Sequence, residues 1–424
     1  MDRVSSLPDS LLCEVLLNLS TAEVVRTSVL SSRWINLWKN VPALDLETYH
    51  FPDQDSFVSF VDRFLGFHSG SCLHSFNLKY HYTEGGPHVT RWINTVVNRR
   101  KVKHIDLLNN SWDVHMPTTL YTCESLVSLA LGGVTLPDPK SVSLPFLKHI
   151  YLSRVGFAND SAFEMLISAS PVLESVRLSN VSSHNVNCFR VCSKSLLSLS
   201  HIGRIIGGGE KELVFAIDAP RLHSLYLLDG VIASFIVKNL GSLVMVDLHV
   251  GFGRRFDPNN LPKINMIRDF FNGISTVKHM VISPDTLVVV YDYLRCQPLP
   301  LFPNLTSMRV TGYNWQLLLP FLESCPNLKR LVLGSERNPP EKEGVSISYG
   351  RPCFLSSLEY VEIQRPWTDP PRKENLVSSE DRLVTYFLEN STLCLDDSTK
   401  EGESVILKRP LTTPKSPRLS ASRN

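Results

Sequence analysis

Between residues 73 and 363 one short pattern recurs: apolar, two variable positions, apolar, one variable, apolar. It opens at Leu73, Val102, Leu126, Leu147, Leu173, Leu196, Leu222, Leu243, Val277, Leu305, Leu328 and Leu358, twelve copies spaced 21 to 34 residues apart. The copy "LLSLSH" is the weakest, because it ends on His201 where the others end on an aliphatic residue. Alternation with a period of two predicts a short strand with one apolar face for each copy. Between copies, "DSAFEMLISASP" and "WQLLLPFLESCP" have helical spacing, with Phe163, Leu166 and Ile167, and Leu317, Phe321 and Leu322, facing inward. A proline just before the next strand stops each of these helices. The first forty residues follow a different rhythm. "LPDSLLCEVLLNL" begins with a helix start signal and sets Leu11, Leu12, Val15, Leu16 and Leu19 along a helix. "STAEVVRTSVL" follows, with Ser20 and Glu23 spaced as a capping box. Ser31-Ser32 then opens a third short helix carrying Trp34, Ile35, Leu37 and Trp38.

No single strand of the repeat can bury its apolar face alone, so neighbouring copies must stack and share a core. A period of this length with this strand signature reads as leucine-rich repeats. An ordinary α/β domain with parallel strands is the alternative, and twelve copies of one phrase argue against it. Residues between the apolar positions face outward, on the concave side of such a solenoid. They include Tyr151, Arg177, Tyr226, Asp247, Arg309 and Glu362. Tyrosine and arginine are common interface anchors, although any solvated sheet shows a mixed-charge stripe too. The stripe as a whole is the candidate substrate face. At the N-terminus the problem is one of excess. Leu7, Leu11, Val15, Leu16, Trp34 and Trp38 are too many to hide inside three short helices. They pack on the following domain, or they offer a surface to a partner.

The stretch "DRVSSLPDSLLCEVLLNLSTAEVVRTSVLSSRWINLWKNVPALDL" resembles an F-box of the plant type. The match runs through Leu7-Pro8, Leu11-Leu12, Val15-Leu16, "VVRTSVLSSRW" and Leu37-Trp38; Ser20 stands where many relatives have proline. The resemblance implies docking on the Skp-type adaptor of a cullin–RING ubiquitin ligase. By position, Leu7, Pro8, Leu11, Leu12, Val15 and Leu16 would supply one contact strip. Leu30, Trp34, Leu37 and Trp38 would supply a second, flanked by Arg33. Near the other end, "PCFLSSLEYVEIQRP" and "RLVTYFLENSTLCLDDSTKEGESVILKRPLTTP" resemble the FBD region that closes plant F-box/leucine-rich-repeat proteins. Its helix "DRLVTYFLENS" presents Leu383, Val384, Phe387 and Leu388. The strand after Asn390-Ser391 is shortened compared with the family pattern, and "KRPLTTPKSPRLSASRN" lacks an apolar closing strand.

Charge and chemistry change this picture little. Basic and acidic residues number 43 and 41, which leaves no footprint of a dedicated nucleic-acid binder. No apolar stretch is long enough to span a bilayer, and no secretory signal is visible. The 9 cysteines have no framework spacing, and Cys188 with Cys192 lacks the second pair that a zinc site needs. The glycines of "GRIIGGGEKE", from Gly203 to Glu212, match neither a P-loop nor a dinucleotide loop. No nucleophile elbow or His-Glu-x-x-His is present.

The expectation is therefore an α/β protein: a small three-helix F-box at 1–47, then an irregular leucine-rich-repeat solenoid at 72–345 with about eleven copies. An FBD-like cap at 346–410 would include the last repeat-like strand, and 411–424 would be a disordered basic tail. No catalytic, cofactor or metal residues are expected, and neither nucleic acid nor membrane is an expected partner. The expected role is a non-catalytic, intracellular substrate adaptor, nuclear or cytoplasmic, that holds an unknown protein target for a cullin–RING ligase. A scaffold or sensor that promotes no ubiquitin transfer is the alternative.

Overall fold

The computed structural model describes residues 4, 6–67, 73–82, 86–99, 101–110, 114–181, 184–203, 213–253, 257–312, 315–334, 352–364, 379–396 and 404–410. The proposed tail at 411–424 and all of the glycine loop after Gly203 lie outside them. The chain forms two compact units: Met1–Val244 with Val250–Ile274, and Met245–His249 with Ser275–Asn424.

The first unit begins with two α-helices, α1 (Asp9–Leu16) and α2 (Thr21–Arg26). The capping box at α2 is formed: Ser20 N donates to Glu23 Oε2 at 2.9 Å, and Glu23 N donates to Ser20 Oγ at 3.4 Å. The third helical element differs from expectation, being tighter 3₁₀ turns at Thr27–Val29 and Trp34–Asn40. A parallel sheet follows, in the order Ala43–Glu47, Ser75–Tyr80, His104–Asn109, Ser128–Gly132, His149–Ser153, Ser175–Ser179, Ser198–Ile202 and Ser224–Asp229. The second and third apolar residues of each phrase point inward on these strands, and the first is buried in the turn just before, as at Leu126, Leu147 and Leu173. The first strand, Ala43–Glu47, precedes every copy of the phrase and lies inside the segment read as F-box. Its outer edge is covered, since the amide of Asp45 donates to Thr21 Oγ1 at 2.8 Å. An uncovered strand edge would be a template for unwanted pairing.

Two longer helices, α3 (Gln54–Phe67) and α4 (Gly86–Asn98), back the first strands. Phe57, Val61 and Phe64 of one and Val89, Trp92, Ile93 and Val96 of the other are buried. Asp62 joins the two helices by accepting from Trp92 Nε1 at 2.7 Å and from Arg91 at 2.8 Å. Farther along, the connecting segments form small parallel sheets of their own: Val114–His115 with Val134–Leu136 and Gly156–Phe157, and Cys188–Cys192 with Val214–Asp218 and Ser234–Lys238. The first expected helix is present at Asp160–Ser168, with Phe163, Leu166 and Ile167 buried.

The weak copy has a physical reason. His201 sits at an inward position beside Leu178 and Leu227, and its Nε2 lies 2.8 Å from Asp229 Oδ2, with both side chains buried. Asp229 Oδ1 also accepts from the amides of Val231 and Ile232 at 2.6 and 2.8 Å, so the pair fixes the turn after its strand. Gly203 is required beside it, because a Cβ there would lie 1.6 Å from Asp229 Oδ2.

The second unit repeats the ladder in parallel register through residues 245–249 of the strand Met245–Val250, then His279–Ile282, Ser307–Val310, Arg330–Leu333 and Tyr360–Gln364. The ladder then reverses: Ser404–Lys408 pairs antiparallel with Tyr360–Gln364 and with the two-residue strand Cys394–Leu395. The closing apolar strand is thus "SVILK", upstream of the segment where the sequence shows none. In the helix Trp315–Leu322, Trp315 and Leu318 are buried and Leu317 is only partly so. In Ser379–Asn390 the packed residues are Leu383, Tyr386 and Phe387, whereas Leu388 is exposed. Tyr386 and Phe387 meet Trp315 edge-on, with ring centroids 5.4 and 5.7 Å apart.

Replacing His201 by leucine would restore the aliphatic phrase yet leave the buried Asp229 carboxyl without its partner, at a cost of about 3 kcal/mol. Amide hydrogen exchange across Ser198–Ile202 and Ser224–Asp229 checks this, and exchange in His201→Leu is expected to accelerate by about two orders of magnitude.

Candidate functional site

The N-terminal helical segment closes a small core. Leu12, Leu16, Val24, Trp34, Leu37 and Val41 are buried together, with Leu7, Cys13, Trp38 and Ala43 packed against them. Helical spacing sorts the leucine pairs: Leu12 and Leu16 share the inner face of α1, and their neighbours Leu11 and Val15 share the outer face. Arg33 holds the beginning and end of this segment together. Its guanidinium lies 2.7 Å from Asp9 Oδ1 and also donates to the Leu7 carbonyl.

The two tryptophans separate. Trp34 is 6% exposed and belongs to the core. Trp38 is half-buried, its ring 6.1 Å from that of Phe64 of α3 and with Lys39 Nζ 5.6 Å from its centre. Four of the eleven residues expected to contact a partner, Leu12, Leu16, Trp34 and Leu37, therefore present almost no surface. Pro8, Leu11, Val15, Leu30 and Arg33 are exposed, and Leu7 and Trp38 partly so. The structure adds residues that the sequence reading left out. Val29 is 85% exposed and Ile35 51%, beside Leu30 at 66%. Both sit in the 3₁₀ turns, where an α-helical period does not predict which side is outer.

Of the six residues expected on the concave row, three lie in each unit. In the first, Tyr151 and Arg177 are register neighbours, and the Arg177 guanidinium stands 5.9 Å from the Tyr151 ring centre. Ser200 follows Arg177 in the row, and Tyr226 follows Ser200. In the second unit, Asp247, Val281, Arg309, Val332 and Glu362 are register neighbours in one row, in which Val332 is buried at 7% exposure. Glu362 accepts from Tyr360 Oη at 2.9 Å and pairs with Arg330 at 3.6 Å, and Asp247 pairs with His249 at 2.8 Å. Among the described residues no group of His, Cys, Asp and Glu could hold a metal ion. Burial pushes the thiols of Cys123 and Cys325 up, which keeps them protonated and poorly nucleophilic.

Residues 4–45 match the F-box domain, and residues 89–247 match the repeats described as "FBD-associated F-box protein At5g56370, LRR repeats". The F-box/FBD/LRR-repeat protein At1g78750 of Arabidopsis thaliana is 49% identical over 441 residues, covering 98% of this chain and 94% of that protein. The chain belongs to the F-box/FBD/LRR-repeat family. F-box/LRR-repeat protein 13 of the same plant is 48% identical, covering 100% of this chain and 95% of the relative. The FBD-associated F-box protein At1g66310 is 47% identical, over 97% and 94%. In this F-box/FBD/LRR-repeat chain the F-box match coincides with the closed helical core and its exposed apolar fringe. The repeat match covers the ladder of the first unit from the strand His104–Asn109 onward and ends within the strand Met245–Val250. Among the described residues no helix is long and apolar enough to cross a membrane.

The division between core and fringe has separable consequences. Trp34→Ala should cost about 3–5 kcal/mol by leaving a cavity, opening the helical segment. Leu30→Ser should stay within about 0.5 kcal/mol of the parent protein. Hydrogen exchange across α1 and α2 distinguishes them, with fast exchange expected only in the tryptophan variant.

Proposed function

We propose that this chain is a substrate-recognition adaptor of a Skp–cullin–F-box type E3 ubiquitin ligase. The observation that carries the reading is an F-box segment whose own core is closed yet whose surface keeps Leu11, Val15, Val29, Leu30 and Ile35 exposed. Apolar side chains gathered on so small a unit have value when a partner groove desolvates them. Pro8, Leu11 and Val15 would form one contact strip, and Val29, Leu30 and Ile35 a second, with Arg33 beside it. Leu7 and Trp38 would contribute their exposed parts. Leu12, Leu16, Trp34 and Leu37 would act indirectly, by holding both strips in place.

The chain is divided accordingly: an F-box at 1–47, repeats at 72–345, an FBD-like end at 346–410 and a basic tail beyond. The repeats would hold an unidentified protein target, with Tyr151, Arg177 and Tyr226 in one unit and Asp247, Arg309 and Glu362 in the other as candidate contacts. Holding that target near a ubiquitin-loaded enzyme raises its effective concentration, which needs no catalytic residue in this chain.

Co-purification with a Skp-type adaptor tests the docking step. Val15→Asp together with Leu30→Asp should weaken adaptor binding by more than about thirtyfold while leaving the F-box core folded. Adaptor binding at the level of the unsubstituted chain would remove the proposed contact surface.

A further inference from the structure

Just ahead of the strands in the first unit, one residue per repeat is fixed by a backbone ladder. Val127 N donates to Lys103 O at 2.7 Å, Lys148 N to Val127 O at 2.8 Å, and Glu174 N to Lys148 O at 2.8 Å. Leu197 and His223 continue the ladder at 2.9 and 2.8 Å. Two residues upstream of these rungs stand, in order, Lys101, Ser125, Phe146, Val172, Ser195 and Arg221. Four of the six are polar, as a solvent-facing position requires. Phe146 and Val172 are not, and they are 61% and 38% exposed on adjacent repeats. Together with Val127 they line an open groove of about 510 Å³, and the lysines at two rungs, Lys103 and Lys148, form its rim.

The rim of this groove carries one net positive charge, two lysines against one carboxylate. His104 and His149 follow the two lysines on the same strands. His104 is held below its ordinary basicity, by burial first and then by the neighbouring Lys103, His149 and His74, which favours its neutral form and leaves the charge of the rim to the lysines. Glu174 is the one acid among the lining residues, and it is engaged with Lys148 at 2.8 Å. Lys103 makes no ion pair among the described residues. An apolar floor with a surplus of positive charge on its rim selects against basic and purely polar segments alike.

We propose that this groove docks an acidic–apolar segment of a partner protein, with one bulky apolar side chain seated between Phe146 and Val172 and flanking carboxylates meeting Lys103 and Lys148. The proposal rests on the reading of the repeats as a target-holding surface and narrows the kind of target. A polyanion such as nucleic acid would satisfy the lysines but leave the two apolar side chains in water.

Selection of displayed random dodecapeptides on the full-length chain reads this preference directly, and fluorescence anisotropy of an enriched peptide measures it. Enriched peptides should combine Asp or Glu with Phe, Leu or Trp, and their binding should weaken with added salt. Phe146→Ser and Lys103→Glu should each weaken binding by about tenfold or more, with thermal unfolding unchanged. Adaptor binding by the same variants should stay at the parent level, which separates failure at the groove from failure of the adaptor reading. The proposal is overturned if no enriched peptide depends on Phe146 or if the enriched peptides show no acidic bias. It is also overturned if a labelled single-stranded oligonucleotide binds the groove as tightly as the peptides do.

Discussion

Each strand of the repeat has apolar residues on one face and is too short to bury them by itself. That constraint organises both units of the chain. In-register parallel pairing sets Leu129 beside Ile105 and Ile150, and Met308 beside Met280 and Leu331, so that each buried side chain is covered by equivalents on the next strands. The same register fixes the outward rows, because a slip of one residue would turn every core residue into water. The outward positions are the ones that packing leaves free to vary. Tyr151 and Arg177 can vary without touching the core, whereas Ile150 and Val176 cannot.

The ladder also explains its own exceptions. A histidine at an inward position would be a costly defect without Asp229 to pair with its Nε2 and Gly203 to make room. At its outer edge the first strand would expose unpaired amides, and α2 covers them through Thr21. The N-terminal helical segment therefore shields a strand edge of its own unit, and it also carries an exposed apolar fringe.

Much of this could be read in the sequence, for identifiable reasons. The twelve strands were visible because alternation repeats and each repeat obeys the same constraint. The helix Asp160–Ser168 was visible because a start signal, an apolar stripe and a proline stop coincide. Resemblance located the F-box, but could not divide its residues between core and surface. Adjacent pairs such as Leu11-Leu12 and Val15-Leu16 fit either face of a helix, and only packing against Trp34 and Leu37 decides which member is buried. Val29 and Ile35 were missed because their segments wind as 3₁₀ turns. Helices α3 and α4 have clear apolar stripes yet fall outside the repeated phrase, and the small connecting sheets consist of strands of two to five residues whose pairing is entirely nonlocal. The closing strand at Ser404–Lys408 was hidden because it runs against the ladder and comes from beyond an intervening helix.

The F-box core is closed in the chain by itself, and the proposed adaptor contact lies on its exposed fringe rather than on the buried Trp34. Hydroxyl-radical footprinting of the full-length chain, alone and with a Skp-type adaptor, tests this side chain by side chain. The expected result is reactive Leu11, Val15, Val29, Leu30 and Ile35 in the free chain, all protected in the complex, with Trp34 unreactive in both. A Trp34 that reacts freely in the isolated chain and becomes protected on binding, while Leu30 and Ile35 stay reactive, would contradict it.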